Sequence, residues 1–253
     1  MVTSRPPSHP ESRPPPGADV GRPIRSELVP KPGGGSRRLV RLDPADDVRY
    51  RRLVVPLVPA IERSLGHGIV ANRAAAPGGP SMLAPWRPAR ERWRRIIRDA
   101  CTDLDRSKVV IATDVADCYG SITPTVVGRA LVARTSATVT AVTAFLAELD
   151  DRGVIGLPIG PEPSALLANA VLAEADAAVA ASGVQALRWV DDVVLIAPGE
   201  LAATRAFDAW RRALGELGLR PQDRKTRRWR DPLEARDALL RRTGSATSDE
   251  RMA

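Results

Sequence analysis

Apolar positions along this chain gather in blocks whose spacing changes from segment to segment. Two blocks carry β-branched and aliphatic residues almost without a break: Val109-Val110-Ile111-Ala112-Thr113-Asp114 and Leu187-Arg188-Trp189-Val190-Asp191-Asp192-Val193-Val194-Leu195-Ile196. Runs of this length and composition predict buried strands. Both meet acids: the first ends on Asp114, and the second is interrupted by Asp191-Asp192. A carboxylate in such surroundings is costly unless it is paired or binds a metal. Two strands ending on three acids therefore point to a site for divalent cations.

The other blocks predict a mixed architecture. Leu28–Lys31 and Arg38–Leu42 read as extended segments joined by the turn Pro32-Gly33-Gly34-Gly35-Ser36. No Gly-Lys-Ser/Thr follows that Gly run and no helix begins there, so it is not a phosphate-binding P-loop. Asp43-Pro44 supplies an N-cap and first-turn pair, with Asp46 and Asp47 behind it. Tyr50, Leu53, Val54, Leu57, Val58 and Ile61 follow at helical spacing, and Pro56 and Pro59 should kink or divide that helix. A later helix gathers Trp93, Ile96, Ile97, Ala100 and Cys101 on one face. Arg90, Arg94, Arg95 and Arg98 lie opposite, as a solvated face or a nucleic-acid contact. Thr123-Pro124 opens another helix. Val139, Val142, Leu146 and Leu149 mark the next, which closes near Gly153. Pro163-Ser164 starts an Ala-rich helix ended by Gly183. After the Asp191-Asp192 hairpin, Phe207, Trp210, Leu214 and Leu217 form a stripe closed by Gly218, and there is room for one helix between Trp229 and Arg242. Strands and helices mix without βαβ alternation, so the fold class is α+β.

Composition narrows the choice of partner. The formal charge is +8, which points toward a polyanionic partner such as nucleic acid, although charge alone equally fits a solubilising surface. Arg carries nearly all of the positive charge, and Lys31, Lys108 and Lys225 are the only lysines. A lysine in such a chain invites attention, because Lys gives up a proton where its surroundings permit and Arg does not. Cys101 and Cys118 are too few and too isolated for a disulfide framework or a zinc site, which fits a reduced, cytoplasmic setting. His67 has no ligand-spaced neighbour and reads as structural or exposed. No apolar run approaches a membrane span, and no signal-peptide core is present.

In their order, these segments resemble the fingers and palm of the reverse transcriptase family, from about Arg22 to Arg230. Asp114-Val115-Ala116-Asp117-Cys118-Tyr119 is similar to the first catalytic block, an Asp at a strand end with an aromatic five residues on. Gly156-Leu157-Pro158-Ile159-Gly160-Pro161-Glu162-Pro163-Ser164, with Asn169 beyond it, is similar to the second. Trp189-Val190-Asp191-Asp192 resembles the third. Leu217-Gly218-Leu219 followed by Lys225-Thr226 resembles the fourth. Lys31, with Arg37, Arg38 and Arg41, matches the basic hairpin of the fingers.

The resemblance implies a right-hand palm, a ferredoxin-like antiparallel sheet with helices, together with fingers. It divides the ordered chain into fingers over 21–106 and a palm with inserted fingers helices over 107–242, while composition makes 1–20 a disordered Pro/Arg-rich tail and 243–253 a second disordered tail. The thumb is expected to be absent or vestigial, with low processivity or help from a partner protein or RNA supplying its function, and no appended nuclease or helicase is expected. The implied activity is RNA-templated DNA synthesis from dNTPs, with an RNA template and a DNA primer and product as partners and no membrane. The Leu157-Pro158-Ile159-Gly160-Pro161 form resembles bacterial reverse transcriptases of the abortive-infection and antiphage-defence kind, which implies a defence role.

The chemistry accounts for these residue types. A primer 3′-hydroxyl attacks the α-phosphate of a nucleotide and pyrophosphate leaves. Two Mg²⁺ ions about 3.5–4 Å apart can lower the hydroxyl pKa and stabilise the leaving group; Mn²⁺ is an alternative. Mg²⁺ takes carboxylate and phosphate oxygens. Asp114 and Asp191 are the leading ligands. Asp192 is a further ligand or a support behind them, and by resemblance the backbone carbonyl of Val115 also reaches a metal. Lys31 and Arg37, with Arg41 as an addition, are expected to hold the triphosphate through charge-assisted contacts. Lys225 is the candidate donor of a proton to pyrophosphate; the plain alternative is a surface lysine. Tyr119 stands where the family places the aromatic that blocks a ribose 2′-hydroxyl, or is a core tyrosine. Pro158, Gly160 and Ser164 are expected to shape the template and nucleotide floor, and Trp189 packs under the primer end or in the core.

One departure keeps other functions in view. Family members that copy long templates usually carry Gln where Ile159 stands. A nucleic-acid-binding palm without activity, and a DNA polymerase that needs no template, are the alternatives.

Overall fold

The computed structural model describes residues 24–31, 35–102, 107–132 and 139–244. The N-terminal tail, the centre of the Gly-rich turn and the last nine residues lie outside them.

Extended residues on either side of the Gly-rich turn pair as an antiparallel hairpin of β1 (Arg25–Pro30) and β2 (Ser36–Arg41), in register from Arg25 opposite Arg41 to Pro30 opposite Ser36. Asp43 then caps α1 (Pro44–Val54), its Oδ1 accepting from the amides of Ala45 and Asp46. The prolines divide the apolar stripe without ending it: a single 3₁₀ turn over Val55–Leu57 joins α1 to α2 (Val58–Ser64). Proline's missing N–H is tolerated where a first turn has no acceptor for it anyway. A loop leads to α3 (Trp86–Thr102).

Strand β3 (Val109–Asp114) is buried along its whole length. The single turn α4 (Cys118–Ser121), then α5 (Pro124–Val132), α6 (Val139–Asp151) and α7 (Glu162–Ala180) follow. Helix α7 begins at Glu162, one residue before the predicted Pro163. β4 (Gln185–Trp189) and β5 (Asp192–Ala197) form the predicted hairpin, and α8 (Glu200–Glu216) ends at Gly218, whose φ is 73°. β6 (Arg227–Trp229) and α9 (Pro232–Gly244) complete the described chain. Helix α9 thus continues to Gly244, into the segment expected to be a tail.

The fold is α+β, and both sheets are antiparallel. In the larger sheet the order is β4-β5-β3-β6, which sets the two acid-bearing strands side by side at its centre. Alternation along the strands separates two cores. Val109, Ile111, Val193, Leu195 and Ala197 face a large core built with α5, α6, α7 and α8. Val110, Ala112, Leu187, Val194 and Ile196 face a smaller one closed by Trp93, Ile97 and Cys101 of α3 and by Ala235 and Leu239 of α9. Helix α7 is buried on nearly every side, which explains why its sequence is alanine-rich rather than amphipathic. Among the described residues no helix is long and apolar enough to cross a membrane.

Candidate active site

Strand register builds the centre of the site. In the β3–β5 ladder Asp114 stands opposite Asp192, and the amide of Val115 donates to the carbonyl of Asp191 at 3.2 Å. Residues 77 positions apart along the chain therefore meet at one end of the sheet, Asp114 at the close of β3 and Asp191 in the turn that opens β5. Asp114 is only 4% exposed, and Asp191 and Asp192 are half-buried. Burial first, and then the charges of Asp114 and Asp192, push the Asp191 carboxyl up to about 7.

Lys225 enters from the far side of β3. The chain after α8 runs back along the end of that strand: Ala116 donates to Arg220 O at 2.9 Å, Gln222 donates to Asp114 O at 2.7 Å, and Val115 bridges to Pro221. A 3₁₀ turn over Asp223–Lys225 then swings the lysine over the strand end, and the hydroxyls of Thr113 and Thr226 meet at 2.8 Å below it. Lys225 Nζ donates to Asp114 Oδ2 at 2.6 Å. Burial works against its charge, but the hydrogen bond to Asp114 and the charges of Asp114, Asp191 and Asp192 outweigh it, and the ammonium pKa is raised. Among the described residues no three Asp, Glu, His or Cys side chains close around a common point as a ready-made metal cage. The expected convergence of three acids is thus looser than a cage. One oxygen of Asp114 is instead taken by the Lys225 ammonium.

The hairpin turn is strained. Trp189 pairs with Asp192, so Val190 and Asp191 alone form the turn, and Val190 has φ 57°. A β-branched residue there costs about 1–3 kcal/mol. A buried arginine spans the turn from below. Arg188 is 2% exposed; its Nη1 donates to Val190 O at 2.8 Å and to Asn169 Oδ1 at 2.7 Å, and its Nε donates to Asp176 Oδ2 at 2.9 Å. On the other face of β4, Trp189 tilts against Trp93 with ring centroids 6.1 Å apart, and the Arg90 guanidinium lies 5.0 Å from its ring. That contact assigns Trp189 to the edge of the smaller core.

Other predicted residues divide between the surface and the interior. Tyr119 is half-buried two residues after the left-handed Asp117 (φ 43°), and burial raises its pKa, so the phenol stays neutral. The second block docks on this segment: Leu157 N donates to Tyr119 O at 2.9 Å, and Gly156 (φ 72°) comes so close that a Cβ would lie 2.4 Å from the same oxygen. Val40 N donates to Ile159 O at 2.7 Å, which hangs the β1–β2 hairpin on that block. Gly160 is exposed beside it, whereas Pro158 is buried. Ser164 departs from its expected place at the nucleotide floor. It is fully buried in α7, and its hydroxyl meets Tyr50 Oη at 3.1 Å, so it holds α1 to α7. Lys31 is exposed past the end of β1, Arg37 is half-buried, and exposed Arg41 lies 3.7 Å from Glu27 across the hairpin. Arg37 and Arg41 lie on β2, and Lys31 directly follows β1 in the same hairpin.

The Arg188–Asn169–Asp176 group went unassigned on sequence alone. One signal was available: Arg188 occupies an inward position of a strand otherwise apolar on that side, which demands a buried acceptor.

No family profile matches the chain, and no match was found among curated proteins. Among solved structures the chain is similar to an apo telomerase from Candida tropicalis truncated from its C-terminal domain, with a TM-score of 0.51 at 13% identity, over 81% of this chain and 49% of that one. The chain spans about half the length of that protein, and what the two share is a fold.

Proposed function

We propose that this chain is a reverse-transcriptase-like nucleotidyltransferase whose larger sheet is the palm and whose β1–β2 hairpin belongs to the fingers. The observation that carries it is the strand register that sets Asp114 against the Asp191–Asp192 turn with Lys225 above. The telomerase-like fold supports the same reading.

The donors fit Mg²⁺. They are hard carboxylate oxygens, two suffice when the substrate supplies the rest, and one already holds a cation in the form of the Lys225 ammonium. Asp114 and Asp191 would hold the metal, with Asp192 beside them and the backbone of Val115 at the same strand end. A divalent cation held there would lower the pKa of the primer hydroxyl and neutralise charge on the leaving oxygens.

The chain's own residues do the rest. Arg37, Lys31 and Arg41 bind the triphosphate from the hairpin, which the Val40–Ile159 contact fixes relative to the palm. Lys225 holds a proton at Nζ, kept there by its three acidic neighbours, and delivers it to the departing pyrophosphate. The neutral ring of Tyr119 lies against the sugar and excludes a 2′-hydroxyl. The substrates are dNTPs on an RNA template with a DNA primer. A defence role rests on the Leu157–Pro161 sequence alone.

The test is incorporation of labelled dNTP by the purified chain on an RNA template with a DNA primer and Mg²⁺, beside Asp191→Asn. Template-complementary product from the native chain and none from the variant is expected. Equal product from both would falsify the assignment. Product unrelated to the template would replace it with untemplated synthesis. RNA binding with no product from any nucleotide would replace it with an inactive palm.

A further inference from the structure

A buried ion pair is a poor device for stability. Replacing one by apolar side chains is often neutral or better, so its retention asks for another explanation. The Arg188–Asp176 pair is such a case. Arg188 is 2% exposed, and its Nη2 is buried with no hydrogen-bond partner.

What Arg188 does provide is registration of separate chain segments. Its Nε is on Asp176 of α7, and Nη1 is shared by Asn169 of α7 and the carbonyl of Val190 in the catalytic turn. Its backbone joins the loop after α2: Arg188 N donates to Gly68 O at 2.9 Å, and Val70 N donates to Arg188 O at 3.1 Å. That loop lies so close to β4 that a Cβ on Gly68 would fall 2.0 Å from Ala186 O. Asn169 closes the circuit, its Nδ2 donating to Ala71 O at 3.2 Å and Asn72 O at 2.9 Å. Asn72 and Val190 are both non-glycine residues with left-handed φ, at 55° and 57°. Each has its carbonyl held by one end of the Asn169–Arg188 pair.

We infer that Arg188 is a positioning residue for the catalytic carboxylate. Its bond to Val190 O holds the turn in its strained form and so fixes Asp191, and Asn169 ties that turn to the 68–72 loop. The inference rests on the polymerase reading for its consequence in catalysis, but not for its structural content. Arg188 touches no substrate; it acts through the backbone of Val190.

Two variants test it. Arg188→Lys keeps the charge near Asp176 but cannot fork between Val190 O and Asn169 Oδ1. Asn169→Asp keeps an acceptor for Arg188 and removes the donor to Ala71 and Asn72. Hydrogen exchange on the metal-free protein is the first readout. Faster exchange over 189–192 in both variants, with α6 exchange unchanged, is expected. Exchange that rises equally in α6 and the turn would reduce Arg188 to a stability element and overturn the inference. The second readout is the Mg²⁺ dependence of incorporation. Half-saturation should move up about 10-fold or more, as when support behind a metal ligand is lost, with KM for dNTP nearly unchanged. A native Mg²⁺ dependence in an active Arg188→Lys protein would also overturn it. Should the native chain make no product, the polymerase reading falls, and the exchange pattern alone decides the positioning role.

Discussion

Lys225 Nζ stands 2.6 Å from Asp114 Oδ2, a contact between residues 111 positions apart. The lysine side chain is half exposed and the aspartate side chain nearly buried, so removing the lysine strands a nearly buried charge. Lys225→Met should lower metal-free stability by about 1 kcal/mol, the moderate value reflecting solvent around the lysine. It should also enlarge the thermal stabilisation produced by Mg²⁺, because the ammonium no longer competes for Asp114. Thermal melts with and without Mg²⁺ check both effects. If Lys225 gives its proton to pyrophosphate, turnover should fall by about 100-fold or more in the same variant, with dNTP KM changed far less.

The raised Asp191 pKa carries a pH dependence with a definite sign. The carboxyl titrates near 7 in the folded chain and at 3.8 without its neighbours, so between those values the native state binds the extra proton. Stability then falls as pH rises through that interval. Metal-free protein should melt lower at pH 7.5 than at pH 5, about half a unit beyond the folded pKa and well below it. Asp191→Asn should flatten this slope, and Mg²⁺ should restore stability chiefly at the higher pH. Melts over that range in chelator and in Mg²⁺ are the measurement.

The Val190–Asp191 turn is strained at Val190, whose φ is 57°. Replacing it by glycine removes the φ penalty of about 1–3 kcal/mol and adds an unfolded-state entropy cost of about 0.5–1 kcal/mol. Val190→Gly should therefore leave the melting temperature unchanged or higher while lowering incorporation, because the turn that presents Asp191 loosens. A variant both less stable and fully active would contradict this account.

Gly156 lies where no side chain fits. A Cβ would sit 2.4 Å from Tyr119 O and 2.6 Å from Gly120 O, at a φ of 72°. Gly156→Ala should cost about 2 kcal/mol or more, from clash and strained φ together. It should separate the second block from Tyr119, and denaturant melts will show the loss. At Tyr119 itself, truncation to Ala should narrow the preference for dNTP over rNTP by about 10-fold or more, read from competing incorporation.

The sequence showed more of the local structure than of the assembled site. The two acid-bearing strands, the Asp43 cap, the stripe of α3 and the glycine ends of α6, α7 and α8 were legible because each follows from nearest neighbours and spacing. The pairing of β3 with β5 came from resemblance, not from either strand's composition. Ser164 was legible as the start of a helix, but its expected place at the nucleotide floor came from the resemblance, and its burial against Tyr50 depends on the packing of α1 on α7, which no local spacing shows. The role of Arg188 was hidden because its partners, Asp176 and Asn169, lie one helix away and lack a spacing rule that links them to a strand.

The central claim is that Asp114 and Asp191 share a bound divalent cation. Electron paramagnetic resonance of Mn²⁺, titrated into native protein, Asp114→Asn and Asp191→Asn in the presence of a dNTP, counts the bound ions directly. Strong binding by the native chain and its loss in each variant is predicted. Native-like Mn²⁺ binding in either variant would contradict the account.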